Sequence, residues 1–255
     1  KNYNCLYYPN FDDNSQINYI EIVNHFPKEK YDFSEVLTKA AKNNDVDLVY
    51  NLWLRREEII DLNFNNIKKC ILPPTIKTIG RKSFIYIDSL TTILIPQSVT
   101  KINVCAFKGC KSLKEIIIPS SVTSIDYKAF CGCKSLKKFE FPSSVTYVGG
   151  ALFNGCELLT EINFPSTITE CGIFYFQNCK RLKTIKTPSI IDELGYKCFY
   201  ECKKLSKVIF ESPCSIEFIS SYSFLHCASL KHISIPGDVV HLKKVHFNFV
   251  NVWKI

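Results

Sequence analysis

The 255-residue chain has no methionine, few glycines (nine) and only two tryptophans, and its apolar runs are short pieces such as Ile116-Ile117-Ile118. A membrane-spanning helix needs about 20 apolar residues in a row, so no segment reads as a span. The patterns G-x-G-x-x-G, G-x-x-x-x-G-K-[ST] and G-x-S-x-G are all missing, which removes the usual phosphate-cradling loops and the nucleophile elbow. No N-x-[ST] acceptor occurs despite many Asn, Ser and Thr residues; this weighs mildly against selected glycosylation. The absence of methionine even at position 1 reads as a segment or processed product, which leaves leader and compartment open.

An apolar content of 46 % is enough for a sizeable core and excludes a disordered tail. Charge is divided along the chain: residues 1–66 hold 7 Lys/Arg against 11 Asp/Glu, whereas 67–255 hold 25 against 13. Such asymmetry suggests two parts, an acidic N-terminal region 1–66 and a basic array 67–255. The thirteen cysteines cannot all pair within one chain because their number is odd.

Aligning the prolines exposes a repeat. Pro73, Pro96, Pro119, Pro142, Pro165 and Pro188 stand 23 residues apart, Pro213 follows after 25, and Pro236 after another 23. Eleven residues beyond each proline is a phenylalanine: Phe84, Phe107, Phe130, Phe153, Phe176, Phe199, Phe224 and Phe247. Three residues later come Ile87 and then Cys110, Cys133, Cys156, Cys179, Cys202 and Cys227; three further on is a leucine column from Leu90 to Leu230. Each unit closes in a strand-like alternation before its proline, such as Phe139-x-Phe141-Pro142 or Ile162-x-Phe164-Pro165. A second apolar pair follows the proline, as in Val122 and Ile125, with polar turn steps between. One unit cannot bury its apolar face alone, so units stack into a parallel ladder. About eight rungs give a solenoid on the order of 40 Å long. Glu211 and Ser212 account for the two-residue excess as a local bulge; the last unit keeps Phe247 but has Val250 and Trp253 in the Cys and Leu columns, and reads as a degenerate C-terminal cap.

The unit Leu113-Lys-Glu-Ile-Ile-Ile-Pro-Ser-Ser-Val-Thr-Ser-Ile125, followed by Ala129-Phe130-Cys-Gly-Cys133, resembles the leucine-rich repeat of BspA-like surface proteins over roughly residues 67 to 247. The resemblance implies a curved α/β leucine-rich-repeat solenoid without enzymatic activity, used by surface proteins of bacteria and protists for adhesion to host matrix or other cells. It implies a cell-surface or secreted location, with the cytoplasm as the alternative. Its consensus specifies the core, so it assigns no binding residue.

Residues 1–66 lack the period and read as a small helical N-terminal region or cap. Phe33, Val36, Leu37, Ala40 and Ala41 share a helical face, and Val46, Val49, Leu52 and Trp53 share another, with Asn43-Asn44 as the break. This hairpin, at 33–57, also resembles the helix pair of an ankyrin repeat, although the Thr-Pro-Leu-His start of that family is missing.

The cysteines recur once per rung, not in the close pairs of a zinc site, and read as small core side chains. Cys131-x-Cys133 departs from metal and redox spacing, and His226 beside Cys227 lacks a carboxylate at ligand distance. No catalytic residue, cofactor, metal site or small-molecule substrate is expected. The charge pattern says more. Between the cysteine column and the next strand lie Lys111, Lys114, Lys134, Lys137, Lys138, Lys180, Arg181, Lys183, Lys203, Lys204, Lys207 and Lys231, which stacking aligns along one rim. Lys114, Lys137, Lys138, Lys183, Lys207 and Lys231 are the candidate contacts for a protein or anionic glycan partner. Nucleic acid is disfavoured because the aromatics stand in core columns and offer no stacking platform between the lysines. The outward strand positions of the first rungs, Ile71, Leu94 and Ile117, are apolar; they mark a partner site or a patch covered by the N-terminal helices, the second being preferred. Two functions are carried forward, a surface adhesin and an intracellular interaction scaffold.

Overall fold

The computed structural model describes residues 68–72, 76–173, 175–212 and 216–235 (of Ile71 the backbone alone), together with the backbone of His241–Leu242 and Asn251–Lys254. The expected N-terminal helices, the hairpin at 33–57 and Phe247 lie outside the described residues. The strands in chain order are β1 (Lys69–Ile71), β2 (Thr78–Ile79), β3 (Thr92–Leu94), β4 (Lys101–Ile102), β5 (Ser124–Ile125), β6 (Tyr147–Val148), β7 (Glu161–Asn163), β8 (Glu170–Cys171), β9 (Thr184–Thr187), β10 (Glu193–Leu194), β11 (Lys207–Phe210), β12 (Phe218–Ile219), β13 (His232–Ile235), β14 (His241–Leu242) and β15 (Asn251–Lys254).

The units build two ladders, and every pairing among the described residues is parallel. The strands before the prolines, with the terminal β15, pair as β1–β3, β7–β9–β11 and β13–β15; the short strands after the prolines pair as β2–β4–β5–β6–β8 and β10–β12–β14. The second ladder is built on the apolar pair after the proline, where Ile102, Ile125 and Val148 face one another. The repeat step sets the register, with Glu161 opposite Thr184 and Thr184 opposite Lys207. Glu193 pairs with Phe218, two residues beyond the regular step, so the Glu211–Ser212 bulge is absorbed before β12. At Ile116–Ile118 and Phe139–Phe141 the strand ladder lapses, yet the alternation survives: Ile116 and Ile118 are buried while Ile117 is exposed. The register there is held two residues earlier, where Lys114 N–H donates to Thr91 O (3.2 Å) and Lys137 N–H to Lys114 O (3.2 Å).

Two expectations need correction. No helix occurs among the described residues, so the array is a parallel-strand β-solenoid and not α/β. The connecting segments bend too sharply for a helix because two positions per unit take a left-handed backbone. One holds Lys82, Cys105, Lys128, Ala151, Lys197 and Tyr222, and the other Tyr86, Gly109, Gly132, Gly155, Asn178, Glu201 and His226. Between them the N–H groups alternate in direction. Phe84 and Tyr86 donate to Ala106 O and Lys108 O of the next turn (both 2.7 Å), while Ile85 and Ile87 donate three residues back, to Lys82 O and Phe84 O (3.1 and 3.3 Å). The second correction concerns the C-terminus. Asn251 pairs with His232 and Trp253 with Ser234, so the last step is four residues short and Trp253 does not continue the leucine column.

The interior is made of stacked columns. Rings from Phe84 to Phe224 lie nearly parallel, with centroids 5.0 Å apart between Phe84 and Phe107 and 5.3 Å between Phe107 and Phe130. The spacing widens to 6.1 Å between Phe130 and Phe153. There Phe139 wedges in from the strand side, 4.9 Å from Phe130 and 4.8 Å from Phe153. The leucine column from Leu90 to Leu230 is buried beside it.

Candidate partner-binding surfaces

The strand before each proline alternates inward and outward, as in β13, where Ile233 and Ile235 are buried and His232 and Ser234 exposed. Outward positions thus form two columns. One runs Thr92, Glu115, Lys138, Glu161, Thr184, Lys207, His232; the other runs Leu94, Ile117, Glu140, Asn163, Lys186, Ile209, Ser234. Leu94 is 56 % and Ile117 77 % exposed, large values for apolar side chains. Ile71 faces Leu94 in the β1–β3 register, and its side chain lies outside the described residues.

The lysines expected on one rim divide into separate columns. Lys114, Lys137 and Lys183 stand immediately before the strand, joined by a backbone chain that includes Thr160 N–H to Lys137 O (3.3 Å) and Lys183 N–H to Thr160 O (2.9 Å). Lys231 occupies the same repeat position. All four are exposed, and none has an ion pair among the described residues. Lys138 and Lys207 are exposed too, but one residue further on, in the outward strand column shared with Glu115 and Glu161. A further column, just after the cysteines, is largely neutralised. Lys111 pairs with Asp88 (2.7 Å), and Glu157 bridges Lys180 (2.7 Å) and Lys134 (2.9 Å). Hydrogen bonds from Lys180 and then Lys134 hold the Glu157 carboxyl below its ordinary range. Lys203 pairs with Glu201 (3.1 Å). Asp88 and Glu157 stand one repeat step from their lysines in the same column, whereas Glu201 is two residues from Lys203 within one turn.

On the turn side, sequence reasoning missed a tyrosine–lysine edge. The Lys128 ammonium lies 4.7 Å from the Tyr127 ring centroid, Lys108 lies 5.5 Å from that of Tyr86, and Lys197 lies between Tyr196 (5.2 Å) and Tyr200 (5.0 Å). The signal was present in Tyr127-Lys128 and Tyr196-Lys197, dipeptides at the same repeat position.

No disulfide joins the described cysteines. Cys110, Cys133, Cys156, Cys179, Cys202 and Cys227 each donate to the carbonyl of the phenylalanine one turn earlier, at 3.0 to 3.3 Å. In the first Phe-bearing turn the column holds Ile87 instead. Burial pushes the Cys110 and Cys227 thiols up to about 12, which makes these two thiols unreactive at neutral pH. Among the described residues no group of three or more His, Cys, Asp or Glu side chains could hold a metal ion, and no helix is long and apolar enough to cross a membrane.

Comparison with known proteins agrees with this architecture. The BspA type leucine-rich repeat region matches residues 62–171 and 123–252, in 6 copies. A leucine-rich repeat protein of T. pallidum is similar at 26 % identity over 63 % of this chain and 77 % of that one, with a TM-score of 0.55. A leucine-rich repeat protein from Bacteroides ovatus is similar at 25 % identity with a TM-score of 0.53; the match covers 73 % of this chain and little more than half, 56 %, of that one. No curated protein matches the chain. With the repeat match extending over well over half of its length and the stacked Phe, Cys and Leu columns in place, the chain belongs to the BspA type leucine-rich repeat family.

Proposed function

We propose that this protein is a non-enzymatic adhesion module that holds an acidic macromolecule, a sulfated glycan or an acidic protein surface, against the column of Lys114, Lys137, Lys183 and Lys231. Lys138 and Lys207 add charge on the adjoining strand face, and Ile71 and Leu94 add apolar contact at its N-terminal end. Membership of a leucine-rich-repeat family is consistent with protein binding. The single observation behind the choice of surface is the contrast between neighbouring columns. Lys111, Lys134 and Lys180 are held by Asp88 and Glu157, whereas Lys114, Lys137 and Lys183 have no acid in ion-pair reach among the described residues. Lys114 and Lys137 stand on successive turns, about 4.8 Å apart and well inside the Debye length of about 8 Å at physiological salt, so they reinforce one another's field, while Lys183 and Lys231 extend the column at two-turn steps of about 10 Å. The test is binding of the whole chain to heparin as a sulfated probe, with the Lys114→Glu/Lys137→Glu/Lys183→Glu variant beside it. Loss of binding in the variant supports the reading; equal binding of both proteins rejects it.

A second reading, an intracellular interaction scaffold, is favoured by the odd cysteine count and by the lack of an N-x-[ST] acceptor. Protease applied to intact, unpermeabilised source cells separates the two. Digestion supports adhesion, and protection until permeabilisation supports the scaffold.

A further inference from the structure

The outward strand face is patterned along the stack: apolar at Ile117, acidic at Glu115 and Glu140 with Lys138 set between them, then basic at Lys186 and Lys207, with Ile209 beside Lys207. Glu115, Ile117, Glu140, Lys186 and Lys207 are exposed and Ile209 half-buried. From β7 to β11 the hydrogen-bonded ladder fixes the order, Asn163 opposite Lys186 and Lys186 opposite Ile209. We propose that this face docks on a second copy of the same chain, related by a twofold axis that runs along the strand direction through the turn of Asn163.

Such an axis keeps the strand direction and reverses the order of turns, so positions equidistant from Asn163 meet, and each contact occurs twice. Glu115 then faces Lys207 of the second copy, Glu140 faces Lys186, Ile117 faces Ile209, and Lys138 faces the neutral Thr184. At the axis Asn163 meets itself and can exchange amide hydrogen bonds. Glu161 also meets itself, a like-charge cost that the surrounding pairs must offset. Other placements do worse. Moving the axis half a turn toward the C-terminus opposes Lys138 with Lys207; half a turn toward the N-terminus it gains Lys138 opposite Glu161 and Leu94 opposite Ile209, but loses both the Glu115–Lys207 and Glu140–Lys186 pairs and sets Ile117 on Lys186; a full turn that way opposes Glu115 with Glu161. An axis along the stack would put Ile117 on Glu115 and Ile209 on Lys207. Within the chain Lys186 already holds Glu211 at 2.6 Å, which pins its ammonium between that acid and the incoming Glu140.

The strip is five turns tall and one strand wide, about 20 Å by 10 Å, or a few hundred Å² per copy. That is below the roughly 800 Å² per partner of a stable complex, so the dimer is weak, concentration-dependent and sensitive to salt. This inference does not rest on the lysine column of the proposed function.

Sedimentation equilibrium of the full chain at low salt, from micromolar to near-millimolar concentration, tests it. The wild type should rise from monomer toward dimer mass. Glu115→Lys and Lys207→Glu should each weaken association about tenfold or more, while the double variant, which restores opposite charges across the axis, should recover most of it. Glu161→Gln should strengthen it. Lys101→Glu, a charge change on the second ladder, should leave it unaltered. A chain that stays monomeric throughout, or a double variant no better than the singles, overturns the proposal.

Discussion

The thiol of Cys133 donates to the main-chain carbonyl of Phe107, 26 residues earlier, at 3.2 Å. That carbonyl also accepts Cys110 N–H within its own turn, at 3.1 Å. The cysteine therefore ties one turn to the next at the edge of the phenylalanine stack, where an aliphatic side chain of similar size would fill space without making the bond. Cys133→Ala removes the tie and leaves a small void, and is expected to cost about 1 to 2 kcal/mol in urea unfolding. An unchanged midpoint would show that the thiol is mere filler.

Alkaline pH should loosen the stack. Burial pushes Cys110 and Cys227 up to about 12 and raises Cys133, Cys156, Cys198 and Cys202 well above an ordinary thiol. A folded pKa raised above the unfolded value of about 8.5 gives stability that is complete below that value and is lost as pH rises toward the folded one. The unfolding midpoint should hold steady from pH 6 to 8 and then fall above pH 9, less steeply in Cys110→Ala. A profile equally steep in that variant would trace the alkaline loss to other groups.

Thr187 is fully buried, and its hydroxyl has no hydrogen-bond partner. It occupies the inward column that Phe164 and Phe210 fill in the neighbouring turns. Thr187→Val keeps the shape and removes the stranded hydroxyl, so it should stabilise by about 1 kcal/mol and raise Tm by roughly 2 to 4 °C for a chain of this size. A lower Tm would mean that the hydroxyl is satisfied in solution.

Gly132 has φ +77°, in register with Gly109 and Gly155. Gly132→Ala places a Cβ in a left-handed backbone and should destabilise by about 1 to 2 kcal/mol. An equal thermal unfolding curve would contradict the turn geometry.

The contrast between Gly132 and Lys128 explains how far the fold could be read from the chain. Phe, Cys, Leu and Pro recur because each column has one steric role, so their step is visible without structure. The second left-handed position carries Lys82, Cys105, Lys128 and Ala151 and never glycine, since stacking against the next turn sets its backbone, and no residue type advertises it. That hidden bend is why an α/β connection was expected where turns occur. Trp253 misled in a similar way, because the shortened last step shifts it onto the strand ladder opposite Ser234. For the surface, exposure of Leu94 and Ile117 followed directly from alternation. The division of the lysines did not, because Glu157 reaches Lys134 and Lys180 across turns and not along the sequence.

The most direct test of the binding account is the salt dependence of heparin affinity, measured by titration from about 0.05 to 0.3 M NaCl, where the Debye length shrinks by roughly half or more. The wild type should weaken steeply over that range. The Lys114→Glu/Lys137→Glu/Lys183→Glu variant should bind at least tenfold more weakly at the low end and show a flatter dependence. Equal affinity and equal slope for the two proteins would contradict a lysine column that holds an acidic partner.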